Sequence, residues 1–111
     1  MYSNPQRLSS KATKELRNQA GQWLRDLREK RGLSQRDLAA KIGADYYTFI
    51  SQLETGRGRI PPDRYLVWAT ALGVDPQEFV RKLMSFYDPV TYGILFGEPS
   101  DKPKRAKRSL A

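Results

Sequence analysis

The sequence contains neither cysteine nor histidine. Their absence excludes disulfides, thiolate nucleophiles and the Cys and His ligands on which zinc sites depend, so no metal and no other cofactor is expected. Long apolar runs are missing too. No stretch approaches the roughly 18 residues of a membrane-spanning helix, and the opening MYSNPQRLSS has no apolar segment of the kind found in a signal peptide. No membrane association is expected, and a cytoplasmic location is. There is also no phosphate-binding glycine loop and no nucleophile–base pairing among the isolated Ser, Asp and Lys residues, so an enzyme is not expected.

Acidic residues are scarce relative to basic ones. The 111 residues carry 20 Lys and Arg against 12 Asp and Glu, a net charge of +8, with an isoelectric point near 10.0. Such an excess attracts polyanions and gains affinity by releasing their counterions. It is unevenly placed: residues 1–20 carry four basic and one acidic side chain, residues 97–111 five and two, and residues 21–96 eleven and nine. In a generic protein, charged ends would simply be solubilising. The length suits one small domain with tails.

Residues 1–10, with Pro5 and no apolar period, read as a flexible arm, and the domain is placed at residues 11–87. Leu16, Ala20, Leu24, Leu27 and Arg31 share one helical face. Gly21 weakens a continuous helix from Lys11, since a mid-helix Gly costs about 1 kcal/mol relative to Ala; Gln22 to Lys30 is the firm part. Trp23 reads as a packing residue. Ser34 is a good N-cap, with Asp37 three residues on as a capping-box partner, and a second helix starts at Gln35. Its apolar set is Leu38, Ala39 and Ile42, and Gly43 stops it in the left-handed conformation. A third helix is expected from Asp45 or Tyr46 to before Gly56, burying Ile50 and Leu53. Pro61 and Pro62 introduce a fourth, with Tyr65, Trp68, Ala69 and Leu72 inward and Gly73 at its end. Asp75, Pro76 and Glu78 open a fifth, with Phe79, Val80 and Leu83 inward.

The run Leu33-Ser34-Gln35, Leu38-Ala39, Gly43, then Ile50-Ser51-Gln52-Leu53-Glu54 and Gly56 resembles the helix-turn-helix of the Cro/CI (XRE) family of bacterial and phage regulators. The resemblance covers about residues 20–86. It implies an all-α, compact five-helix, lambda-repressor-like DNA-binding domain whose helix-turn-helix core is residues 34–54. One departure stands out: from Gly43 to Ile50 there is one residue more than the family pattern has. Either the turn is longer or the third helix starts earlier.

Under that resemblance the third helix is the reading helix. Its outward side chains Tyr47, Thr48, Ser51 and Gln52 are the expected base readers, Gln52 being able to bond adenine bidentately. Gln35, Arg36, Tyr46, Thr55, Arg57 and Arg59 are the implied phosphate contacts, with Gln35 helped by the partial positive charge of a helix start. Tyr46, one turn before Ile50, is also placed with the inward set, but the longer turn allows Tyr46 and Tyr47 to exchange roles. Phe49 either packs on the second helix or meets thymine methyls. Arg28 is implied to pair with Glu54, tying the first helix to the third. Beside such a motif, the basic ends become candidate DNA contacts.

Asp88-Pro89 opens a further segment, residues 88–97, whose VTYGILF carries no charge. It is expected to be a short sixth helix or dimerisation segment. Met84, Phe86, Tyr87, Tyr92, Ile94, Leu95 and Phe96 are the candidate dimer surface, unless the segment folds back to seal the domain. Residues 98–111 read as a basic disordered tail. The expected partners are double-stranded DNA and a second copy of the chain, and the expected activity is sequence-specific transcriptional regulation, as a repressor on an inverted repeat at the nucleoid. Two alternatives remain: an antitoxin, with a toxin as its partner, and an adaptor bridging other proteins to the transcription machinery.

Overall fold

The computed structural model describes residues 9–97. Most of the expected arm and the whole of the expected tail, residues 98–111, lie outside the described residues. The regular elements among those described are all helical: α1 (Ser10–Lys30), α2 (Gln35–Ile42), α3 (Thr48–Glu54), a single 3-10 turn (Pro62–Arg64), α4 (Tyr65–Leu72), α5 (Pro76–Tyr87) and α6 (Pro89–Phe96).

Most boundaries follow from capping chemistry. At the start of α2 the Ser34 hydroxyl accepts from the Asp37 amide while the Asp37 carboxylate accepts from the Ser34 amide, both at 3.0 Å. The Ser34 backbone amide foremost, and the Ser34 hydroxyl after it, hold the Asp37 carboxyl below its ordinary range. The stabilisation they give is present above an unfolded pKa of about 3.9 and fades as pH falls through the lower folded value. Asp75 caps α5 by accepting from the Glu78 amide. Gly43 ends α2 at φ +75°, and the Ala44 and Gly43 amides return to the Ala39 and Ala40 carbonyls, closing the helix in a Schellman arrangement. Arg64 adds a cation there by donating to the Ile42 carbonyl.

The core is one cluster. Leu24 of α1, Leu38 and Ile42 of α2, Ile50 and Leu53 of α3, Trp68 and Leu72 of α4, and Phe79 and Leu83 of α5 are all buried. Trp23 stacks on Phe79 at 5.4 Å between ring centroids and meets Phe86 at 5.9 Å. Ile60, in the irregular stretch before the 3-10 turn, is fully buried as well; a lone Ile among Gly, Arg and Pro has no period by which to recognise it.

Three features qualify or correct the expectations. First, α1 runs unbroken through Gly21, which is required there rather than merely tolerated. A Cβ at Gly21 would lie 2.7 Å from the Leu53 carbonyl oxygen and would also collide with the Glu54 carbonyl, so α1 lies directly on the last turn of α3. Second, α3 starts at Thr48, not Asp45 or Tyr46. The extra residue is absorbed by the turn, and Tyr46 stands 74% exposed instead of in the core. Third, Tyr87, placed with the candidate dimer surface, is engaged within the fold. Its hydroxyl accepts from the Ile60 amide at 3.2 Å and its ring packs against the core. Burial raises the phenol pKa against the opposing pull of the Ile60 amide and two arginines. Phe86 is likewise engaged within the fold, between Trp23 and the Lys82 ammonium.

The short sixth helix is present as α6. Tyr92 and Phe96 pair at 5.3 Å, and the Arg81 guanidinium lies 4.8 Å from the centre of the Phe96 ring. Ile94, Leu95 and Phe96 remain 64%, 57% and 44% exposed.

Gly21→Ala should lower the unfolding free energy by about 1–3 kcal/mol through overpacking. Gly93→Ala in α6, where an added Cβ meets nothing within 4 Å, should raise it by up to about 1 kcal/mol, the ordinary helix-interior gain. Urea unfolding of the two variants checks the contrast, and a Gly21→Ala protein at least as stable as the parent would refute the close approach.

Candidate nucleic-acid interface

α3 is only seven residues long, so its orientation has to come from outside it. Glu54, its last residue, is 5% exposed, and Arg28 of α1 is 7% exposed. The Arg28 fork meets the Glu54 carboxylate at 2.6 Å through Nε and 3.0 Å through Nη2. Arg28 Nη1 donates to the Leu33 carbonyl at 2.8 Å, and the Gln35 side-chain amide donates to Glu54 Oε1 at 3.0 Å. The Arg28–Glu54 pair thus joins α1, the α1–α2 turn, the first residue of α2 and the end of α3. The bond to Glu54 is the main reason the Arg28 pKa lies above its ordinary value, outweighing the opposing effect of burial.

Gln35, an implied phosphate contact, is bonded to Glu54, a partner that nothing in the sequence marks. That bond uses one of its two amide hydrogens, leaving the other at the positive end of α2. Arg36, next to it, lies with its guanidinium 4.7 Å from the centre of the Tyr47 ring, a cation–π contact that holds both groups across the turn.

On α3 the inward and outward sets separate cleanly. Ile50 and Leu53 are buried and Phe49 packs against the core, whereas Tyr47, Thr48, Gln52 and Thr55 are exposed and Ser51 is half-buried. The outward face carries hydroxyls and an amide and no charge, a donor–acceptor set able to match base edges. The Thr55 hydroxyl donates back to the Ser51 and Gln52 carbonyls at 3.0 and 3.1 Å. Beyond it, Arg57 and Arg59 are both exposed. Arg59 lies over the Tyr87 ring at 4.6 Å, so this aromatic belongs to the interface indirectly, by placing a cation.

The capped helix, the left-handed glycine turn and a second helix with a polar outer face, locked by a buried ion pair, form a helix-turn-helix. The family model described as Helix-turn-helix matches residues 24–79, just over half the chain. This chain belongs to the helix-turn-helix family of the Cro/CI (XRE) type. Members of the family act by binding DNA, and the protein is a DNA-binding transcriptional regulator. A solved structure of the restriction-modification controller protein C.AhdI from Aeromonas hydrophila is similar to it, with 37% sequence identity, a TM-score of 0.51, and coverage of 59% of this chain and 96% of that one. No curated protein sequence matches significantly. Among the described residues, no helix is long and apolar enough to cross a membrane.

Because Glu54 is the shared acceptor of this helix-turn-helix, Glu54→Ala should strand the buried Arg28 charge and lower stability by about 3–5 kcal/mol. Replacing both members by leucine should recover most of that loss. Chemical denaturation of the single and double variants measures the difference, and equal losses in the two would mean that the stranded charge is not the cause.

Proposed function

We propose that the protein is a repressor that binds an inverted-repeat operator as a homodimer and blocks promoter access. What carries this reading is the uncharged polar face of α3, flanked by Arg36 on one side and Arg57 and Arg59 on the other. Cations placed around a neutral hydrogen-bonding surface suit a duplex, in which phosphates flank base edges. Tyr47, Thr48, Ser51 and Gln52 read the major groove. Gln35, Arg36, Arg57 and Arg59 hold the phosphates, and Tyr46, exposed in the turn, offers its hydroxyl to the same strand.

The homodimer rests on α6. Exposed Ile94, Leu95 and Phe96 form an apolar surface continuous with a groove lined by Val80, Met84 and Phe96, and apolar patches of this kind mark interfaces. A two-fold copy would set two reading helices about 34 Å apart, one helical turn of DNA. The likeness to the controller protein C.AhdI favours one refinement, in which the regulated genes are those of a restriction-modification system.

Selection of bound duplexes from a random pool should return a palindromic consensus, and an asymmetric single site would overturn the two-fold arrangement. Gln52→Ala should relax base preference at one position of each half-site by about 1–3 kcal/mol; an equal loss on every sequence would remove its reading role. Ile94→Asp should sediment as a monomer, and a variant that stays dimeric would place the interface elsewhere.

A further inference from the structure

The family match begins at residue 24, so the first two-thirds of α1 lie outside it. That segment forms one wall of a cleft of about 620 Å³, with Ser10, Thr13, Lys14 and Arg17 on the α1 side and the Gly56–Gly58 loop, including Arg57, opposite. The four α1 residues recur at intervals of three, one and three, and so occupy a single helical face. They present two hydroxyls and two cations, and Arg57 supplies a third cation. No carboxylate lines the cleft, and among the described residues none of Lys14, Arg17, Arg57 and Arg59 is salt-bridged.

Two features fix the walls. The loop leaves α3 through a Schellman closure, with the Arg57 amide returning to the Gln52 carbonyl at 2.8 Å and the Gly56 amide to that of Leu53 at 3.1 Å. Gly56 has φ +84°, and a Cβ there would collide with the Asn18 side chain, so the loop sits against α1 as closely as a backbone can. The Tyr87 ring lies 5.8 Å from the Arg17 guanidinium and 4.6 Å from that of Arg59, steadying each without neutralising it.

We propose that this cleft seats a backbone phosphate of duplex DNA beyond the bases that α3 reads, so that the N-terminal part of α1 extends the footprint past that of the helix-turn-helix alone. The inference rests on the reading above, in which α3 enters the groove. Arg57 follows two residues after Thr55, at the end of the reading helix, so a duplex lying along α3 continues past the cleft mouth. The cleft is open to solvent, which suits a phosphodiester presented by a long polyanion better than a free anion needing enclosure.

The test measures affinity against salt concentration for the full chain, using the selected consensus duplex and a scrambled one, for the parent and for Lys14→Gln and Arg17→Gln. Each variant should lose affinity to a similar extent on both duplexes. Each should also make the slope of log K against log salt shallower by about 1, the effect of one lost phosphate contact. The selected consensus should be unchanged. A parent that discriminates sequences alongside variants that keep its slope overturns the cleft and leaves the regulator reading intact. A parent that binds no duplex overturns both. Thermal unfolding guards against misfolding: Lys14 is exposed and Arg17 half-buried, so a Lys14→Gln protein that melts like the parent decides the case alone. Inorganic phosphate gives the remaining arm. Backbone amide shifts at Thr13 and Lys14 should saturate with duplex and not with phosphate, and saturation by phosphate alone would reassign the cleft to a free anion.

Discussion

The Glu54 carboxylate is the point on which the reading helix depends. Placed at the C-terminus of α3, it faces the negative end of the helix dipole, where an anion is unwelcome. Three donors hold it there, two from Arg28 and one from Gln35. A buried ion pair loses in desolvation most of what it gains in attraction, so its value here is positional. Seven residues of α3 cannot orient themselves. Tied at the C-terminal end to α1 and α2, and pressed from below by the bare backbone of Gly21, they present one face outward.

Much of this was legible because capping residues act locally. Ser34, Asp75, Gly43 and Gly73 mark helix ends through bonds to neighbours a few positions away, and these ends fall where the sequence places them. What was not legible depends on distant partners. Gly21 looks like a weakness when judged by helix propensity and becomes a requirement only once the Leu53 and Glu54 carbonyls lie across it. Ile60 and the Tyr87 hydroxyl, 27 residues apart in the chain, show nothing in sequence of their bond. The turn after Gly43 shows the limit of periodicity: apolar spacing counts residues along a helix and says nothing about how many the turn absorbs, so Tyr46 falls inward by spacing and stands outward in the fold.

The candidate site divides in the same way. The outward set on α3 follows from the 3.6-residue period once Ile50 and Leu53 are known to be buried. The Arg28–Glu54 pair came from the family pattern and not from any physical signal in the residues, which are separated by 26 positions. The basic face of α1 has no signature in the sequence, because Lys14 and Arg17 meet Arg57 only once α1 lies against the loop after α3.

The partners of the arginines sort them by role. Arg25 and Arg28, in the second half of α1, meet carboxylates, and a carboxylate cancels the charge it binds. Arg17, Arg36 and Arg59 meet the faces of Tyr87 and Tyr47 instead. An aromatic face fixes a guanidinium through its quadrupole and leaves the full positive charge in place. Cations held in this way keep their field for a polyanion while having less rotamer freedom to lose when it binds. A surface arginine steadied by a tyrosine therefore points to a charge kept for an external partner, and one steadied by a buried glutamate to a charge used within the fold.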